Sequence, residues 1–127
     1  MSALLYDTEP LSGVPHLHSG ARATLRWDDG ATMAVYGRTV FGRDPIRVPG
    51  SDTVVLRDET LTLSRTHFEL VPLASGGLAI IDRSSTNGVV VDRDGGPRPL
   101  VAGQPIELRS GDRLQLGDRW LTVEVAR

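Results

Sequence analysis

Three polar clusters in this chain have the residue types and spacing to hold an oxyanion. They are Gly42-Arg43-Asp44-Pro45, Ser64-Arg65-Thr66-His67 and Asp82-Arg83-Ser84-Ser85-Thr86-Asn87-Gly88. Arg43 follows a glycine, which lets the backbone turn and lets another group approach closely. Its guanidinium is a planar fork of donors suited to an oxyanion. Ser64 and Arg65 place a hydroxyl, a backbone N–H and a second guanidinium within two residues. Thr86 adds another hydroxyl, and Asn87 offers an amide N–H and C=O that match the main chain of an extended peptide. A phosphorylated side chain carries roughly −1.5 to −2 charges and three acceptor oxygens, so it needs several donors together. The spacing is read as three loops converging on one such group.

Each cluster also has an ordinary structural explanation. Arg43 could be a surface arginine paired with Asp44 or another carboxylate. Ser64 could cap the start of a strand, and Arg65 could be a solvated side chain. His67 enters an apolar stretch, where a histidine usually braces its surroundings by a hydrogen bond. Asn87-Gly88 is a strong turn signal by itself, with Ser84, Ser85 and Thr86 filling the loop.

The elements that must position these residues read as short strands. Leu63 to Leu70 alternates at the period of two, with Leu63, Arg65, His67 and Glu69 on one side; the alternation is imperfect, so this reads as a strand that begins in a loop. Ala23 to Trp27, Ala31 to Tyr36, Thr39 to Phe41, Val54 to Leu56, Phe68 to Leu73, Leu78 to Asp82 and Val89 to Val91 read as strands. Leu100-Val101, Ile106 to Leu108, Arg113 to Leu116 and Trp120 to Val125 complete the set. Asp28-Asp29-Gly30 supplies a hairpin turn, and Asp94-Gly95-Gly96-Pro97 reads as a loop. No segment keeps helical periodicity for three turns. That pattern is an all-β sandwich or barrel of about ten short strands at regular spacing.

Composition limits the function classes. A chain of 127 residues holds one domain with a single core, and its 14 glycines and 8 prolines suit many turns. Residues 1–21 lack periodicity and read as an arm or linker, with 22–127 as the folded domain. The net charge of −2 argues against general nucleic-acid binding. There is no cysteine, which fits a cytoplasmic location and excludes thiolate chemistry. No apolar run approaches the roughly 18 residues that suggest a membrane span. His16 and His18 lack the neighbouring carboxylates or cysteines of a metal site. No nucleophile–base set points to an enzyme, so no catalytic residue, metal or cofactor is assigned.

The ordered set Gly42-Arg43, Ser64-Arg65-x-His67 and Asp82-x-x-Ser85-Thr86-Asn87-Gly88 on an all-β chain resembles the forkhead-associated (FHA) domain family. The resemblance covers about residues 23–125, and Gly111-Asp112 with Arg113-Leu114-Gln115-Leu116-Gly117 looks like the family's last strands. It implies a sandwich of two twisted, mainly antiparallel sheets with about eleven strands, binding phosphothreonine peptides. By position, Arg43, Ser64, Arg65 and Thr86 would contact phosphate and Asn87 the peptide backbone. Gly42, His67 and Gly88 would support the site. The implied partner is a phosphothreonine-containing protein downstream of a Ser/Thr kinase, bound with micromolar affinity. The alternative is a phosphate-independent docking domain that uses a sheet face. Thr8, between Asp7 and Glu9, is a candidate internal ligand if phosphorylated. Two stretches depart from the family pattern. Ile46 to Gly50 lengthens the segment before Ser64, and Val91 to Gly96 replaces a second Asn-Gly, so a reshaped loop is expected there.

Overall fold

The computed structural model describes residues 20–126. His16, His18, Thr8 and most of the expected arm lie outside the described residues. Within them the chain forms eleven strands and no helix. In order they are β1 (Ala23–Trp27), β2 (Thr32–Val35), β3 (Thr39–Gly42), β4 (Asp52–Val55), β5 (Phe68–Pro72) and β6 (Leu78–Asp82). Then follow β7 (Val89–Arg93), β8 (Gly96–Pro99), β9 (Ile106–Glu107), β10 (Arg113–Leu116) and β11 (Arg119–Val125).

Two sheets face each other. One has the order β2-β1-β11-β10-β7-β8, the other β4-β3-β5-β6-β9. All neighbours are antiparallel except β3 and β4, which run parallel with Gly42 beside Val55. Alternation fills the space between the sheets. Leu25, Leu114, Leu116, Leu121 and Val123 point inward from the six-stranded sheet, and Phe41, Phe68, Leu70, Leu78 and Ile80 from the five-stranded one. Phe41 and Phe68 stack with centroids 4.5 Å apart and planes within 6°. Burying each of these rings contributes about 1.5–3 kcal/mol. They lie next to the loop ends that carry the polar clusters, so the core anchors the site.

The stretch from Leu63 begins in a loop, as expected: residues 63–67 are not strand, with Leu63 and His67 buried and Arg65 exposed, and β5 starts at Phe68. Other readings of the sequence change. Thr39 to Phe41 does not resume the strand before it: β2 and β3 belong to different sheets, and Gly37-Arg38 carries the chain across. Gly96 to Pro99 is a strand where a loop was expected, and Leu100-Val101 is not one. The Asp94-Gly95 turn brings Gly96 opposite Arg93. β8 is an edge strand, the position in a sheet where prolines are tolerated because no further ladder donor is required. The same tight hairpin accounts for the region where the second Asn-Gly is missing.

Candidate functional site

The antiparallel registers bring one end of every relevant strand together. Phe41 near the end of β3 pairs with Phe68 at the start of β5, and Phe68 pairs with Asp82 at the end of β6. Leu116 at the end of β10 pairs with Val89 at the start of β7. The start of the loop leaving β3 at Arg43, the loops at residues 56–67 and 83–88 and the Gly117-Asp118 turn therefore share one end of the sandwich, while the rest of 43–51 crosses to the other end, where parallel β4 starts beside Thr39.

Gly42 is required by proximity. A Cβ there would stand 1.9 Å from the carbonyl oxygen of Arg65 and 3.0 Å from that of Ser64. Without it, the two loops close on each other through main-chain bonds. Arg43 N donates to Ser64 O at 3.2 Å, Asp44 N to Arg65 O at 3.0 Å, and His67 N to Phe41 O at 2.8 Å.

His67 is fully buried and joins the second and third loops. The Ser64 N–H donates to its Nδ1 at 3.0 Å, and its Nε2 lies 2.8 Å from Gly88 O. With Nδ1 accepting, the ring proton sits on Nε2 and is donated to Gly88. Gly88 itself has φ +73°, a conformation L side chains rarely adopt. The Ser64 hydroxyl oxygen accepts the Thr86 N–H at 2.9 Å. That bond leaves the hydroxyl proton of Ser64 to be directed elsewhere, and it places the Thr86 side chain beside it.

The third loop is shaped by Asp82, whose Oδ1 accepts from Ser85 N at 3.1 Å and Ser85 Oγ at 2.5 Å. Ser84 takes φ +56° in the same turn. Asn87 extends outward but is not wholly free: its Nδ2 donates to Thr62 O at 2.8 Å. Its carbonyl oxygen and second amide hydrogen remain for a ligand.

The two arginines differ. Arg43 Nε donates to Leu63 O at 3.2 Å, and neither of its terminal nitrogens has a protein partner among the described residues. Arg65 donates from Nε and Nη2 to Asp44 Oδ2, at 3.1 and 2.5 Å. The carboxylate expected beside Arg43 is therefore engaged by Arg65 instead. Arg43, Leu61, Thr62, Leu63, Ser64, Arg65, Thr86 and Asn87 line one open groove of about 630 Å³.

Sequence reasoning does not pick out the residues that support Thr62 and Leu63 from outside this groove. Asp58 accepts from Thr62 N at 3.1 Å and Leu63 N at 2.8 Å, which curls the loop. Thr62 Oγ1 accepts from Asp118 N at 2.9 Å. Arg119 grips Asp28 with Nε and Nη2 at 2.8–3.0 Å and donates Nη1 to Arg57 O at 2.8 Å. The signal available was an aspartate ahead of Glu-Thr-Leu-Thr, an Asx-type loop former. The partners of Asp58 are local, but Thr62 meets Asp118 and Arg119 meets Asp28 and Arg57 from far along the sequence, so only the fold assembles that support.

The Arg119 hydrogen bond holds the Asp28 carboxyl below its ordinary 3.8, against the opposing effect of burial. Glu69, on β5 behind the site, is buried and bridges Arg38 and Arg83 at 2.8 and 2.5 Å. Burial pushes its carboxyl up, but the two arginines together outweigh that and leave it below its ordinary 4.5.

A family model for the FHA domain matches residues 39–117. No curated protein matches the chain. Among solved structures it is similar to an FHA domain from a structural and functional analysis of phosphothreonine-dependent FHA interactions. That match has 26% identity and a TM-score of 0.62, covering 84% of this chain and 98% of the other. It is similar also to the FhaA FHA domain complexed with the intracellular domain of Rv3910, at 27% identity and TM-score 0.61, covering 80% and 99%. The N-terminal FHA domain of S. cerevisiae Rad53p, solved with a phosphothreonine peptide, shares the fold at 18% identity and TM-score 0.64, covering 83% and 94%. With its model matched over more than half of the sequence, on a two-sheet frame of eleven strands, the chain belongs to the FHA domain family.

Proposed function

We propose that this domain recognises phosphothreonine in an extended peptide and so mediates phosphorylation-dependent protein–protein interaction. The observation that carries the reading is the single groove lined by Arg43, Ser64, Arg65, Thr86 and Asn87. Arg43 and Arg65 supply the charge, and the Ser64 and Thr86 hydroxyls supply donors at one side of it. Asn87 stands at the rim, where a peptide main chain would pass. Gly42, His67 and Gly88 act by holding the loops in register. Charge-assisted hydrogen bonds contribute about 1.5–3 kcal/mol each. After the cost of ordering the peptide, a few of them leave micromolar affinity, suited to reversible signalling.

The ligand implied is a protein phosphorylated by a Ser/Thr kinase, in the cytoplasm where such kinases act. Binding without turnover is the expected role, since the groove holds donors for an oxyanion and no nucleophile–base pair. Residues 22–127 would carry the function and the preceding arm would serve as a linker.

A degenerate phosphothreonine peptide library and its unphosphorylated twin, titrated against the wild type and Arg43→Ala, test the reading. Binding that requires both the phosphate and Arg43 supports it. Equal binding of the two libraries would overturn it and direct attention to a sheet face as the docking surface.

A further inference from the structure

We propose that Asp44 is a built-in competitor for the ligand's phosphate at Arg65, and so sets the affinity of the groove. The inference rests on the phosphothreonine reading above. Asp44 and Arg65 sit on different loops, but the bond from Asp44 N to Arg65 O ties their main chains together at 3.0 Å. Pro45 after Asp44 restricts that residue's backbone to extended conformations. The two backbones are thus held together, and the carboxylate stays within reach of the guanidinium.

The pairing has the form of a placeholder. Both donated hydrogen bonds from Arg65 go to one oxygen, Asp44 Oδ2, so the contact is not the two-oxygen fork that makes arginine–carboxylate pairs strong. Both side chains are open to solvent, at 68% and 60% exposure. Exposed pairs of this kind are weak and exchange readily. Arg43, by contrast, uses only Nε among the described residues, on a neutral carbonyl. The groove in its free state therefore presents one uncommitted cation and one neutralised by its own aspartate. A phosphate that engages the Nε and Nη2 edge of Arg65 must take the place of Asp44, and the displaced carboxylate stays nearby as a like charge. Both effects weaken binding, and the first exists only if Arg65 is the group competed for.

A double-mutant cycle separates the two. The probe is the phosphothreonine peptide most enriched by the library above, in a fluorescence-anisotropy titration. The proteins are wild type, Asp44→Asn, Arg65→Ala and the double variant, with Asp44→Ala replacing Asn in a parallel set. Asp44→Asn is expected to tighten binding by about three- to tenfold. The gain should be about threefold larger with Arg65 present than with alanine there. An equal gain in both backgrounds would make Asp44 a bystander charge and overturn the proposal, as would no gain at all. If the wild type binds the peptide without dependence on phosphate or Arg43, the recognition reading fails and the proposal falls with it. A normal Arg43 and phosphate dependence with additive Asp44 and Arg65 effects rejects the competitor role alone.

Discussion

His67 Nε2 lies 2.8 Å from the carbonyl oxygen of Gly88, so one buried ring ties the loop before β5 to the loop before β7. Its other nitrogen accepts the Ser64 N–H. Replacing the ring by a methyl group would leave a buried carbonyl and an N–H without these partners, and a cavity beside Phe68. His67→Ala is expected to cost about 2–4 kcal/mol, read as a lower urea midpoint at unchanged slope. A change under about 0.5 kcal/mol would mean the ring does not brace the loops.

Gly42 makes a sharper demand. A Cβ at 1.9 Å from Arg65 O meets the backbone of Ser64 and Arg65, and backbone yields little. Gly42→Ala is expected to destabilise by about 2 kcal/mol or more and to weaken peptide binding, because the loops must separate. Gly37→Ala is the control: nothing lies within 4 Å of its added Cβ, and its change should stay within about 0.5 kcal/mol. Equal effects at the two positions, measured by thermal and urea unfolding, would contradict the close approach.

Arg43 and Arg65 should not be equivalent. Arg43→Ala removes the cation whose terminal nitrogens have no partner among the described residues, and is expected to cost about 1.5–3 kcal/mol of phosphopeptide affinity, tenfold to about 150-fold. Arg65→Ala removes a cation already paired with Asp44, and should cost under about 1 kcal/mol. Isothermal titration of both variants decides; a larger loss at Arg65 would reverse the ranking.

Acid should weaken the fold through Glu69 and Asp28. Both carboxyls lie below their ordinary values of 4.5 and 3.8 in the folded chain. A lowered folded value means the stabilisation is present above the unfolded value and disappears as pH falls through the folded one. Stability should therefore be flat near neutrality and decline below about pH 4.5. Glu69→Gln should be less stable at pH 7, having lost its charged bonds to Arg38 and Arg83, and should show a shallower decline in acid. Urea midpoints from pH 7 to pH 3 check this; parallel curves for wild type and variant would remove Glu69 as a source.

Much of this protein was legible in its residues. Strands such as Ala23 to Trp27 and Arg113 to Leu116 announce themselves by alternation, because a strand exposed on one side must change polarity at every residue. Gly42-Arg43, Ser64-Arg65-x-His67 and Thr86-Asn87-Gly88 stood out by donor chemistry and order. Tertiary structure alone decided which sheet each strand joined, since β2 and β3 are neighbours in sequence but pair with different partners. It also decided which carboxylate met which cation. Asp44 adjoins Arg43 in sequence, yet the turn after Gly42 directs it to Arg65, and Asp28 finds Arg119 from 91 residues away. Local pattern reports how a residue faces the core. Charge partners follow from loop convergence, which depends on strand register across the whole sandwich.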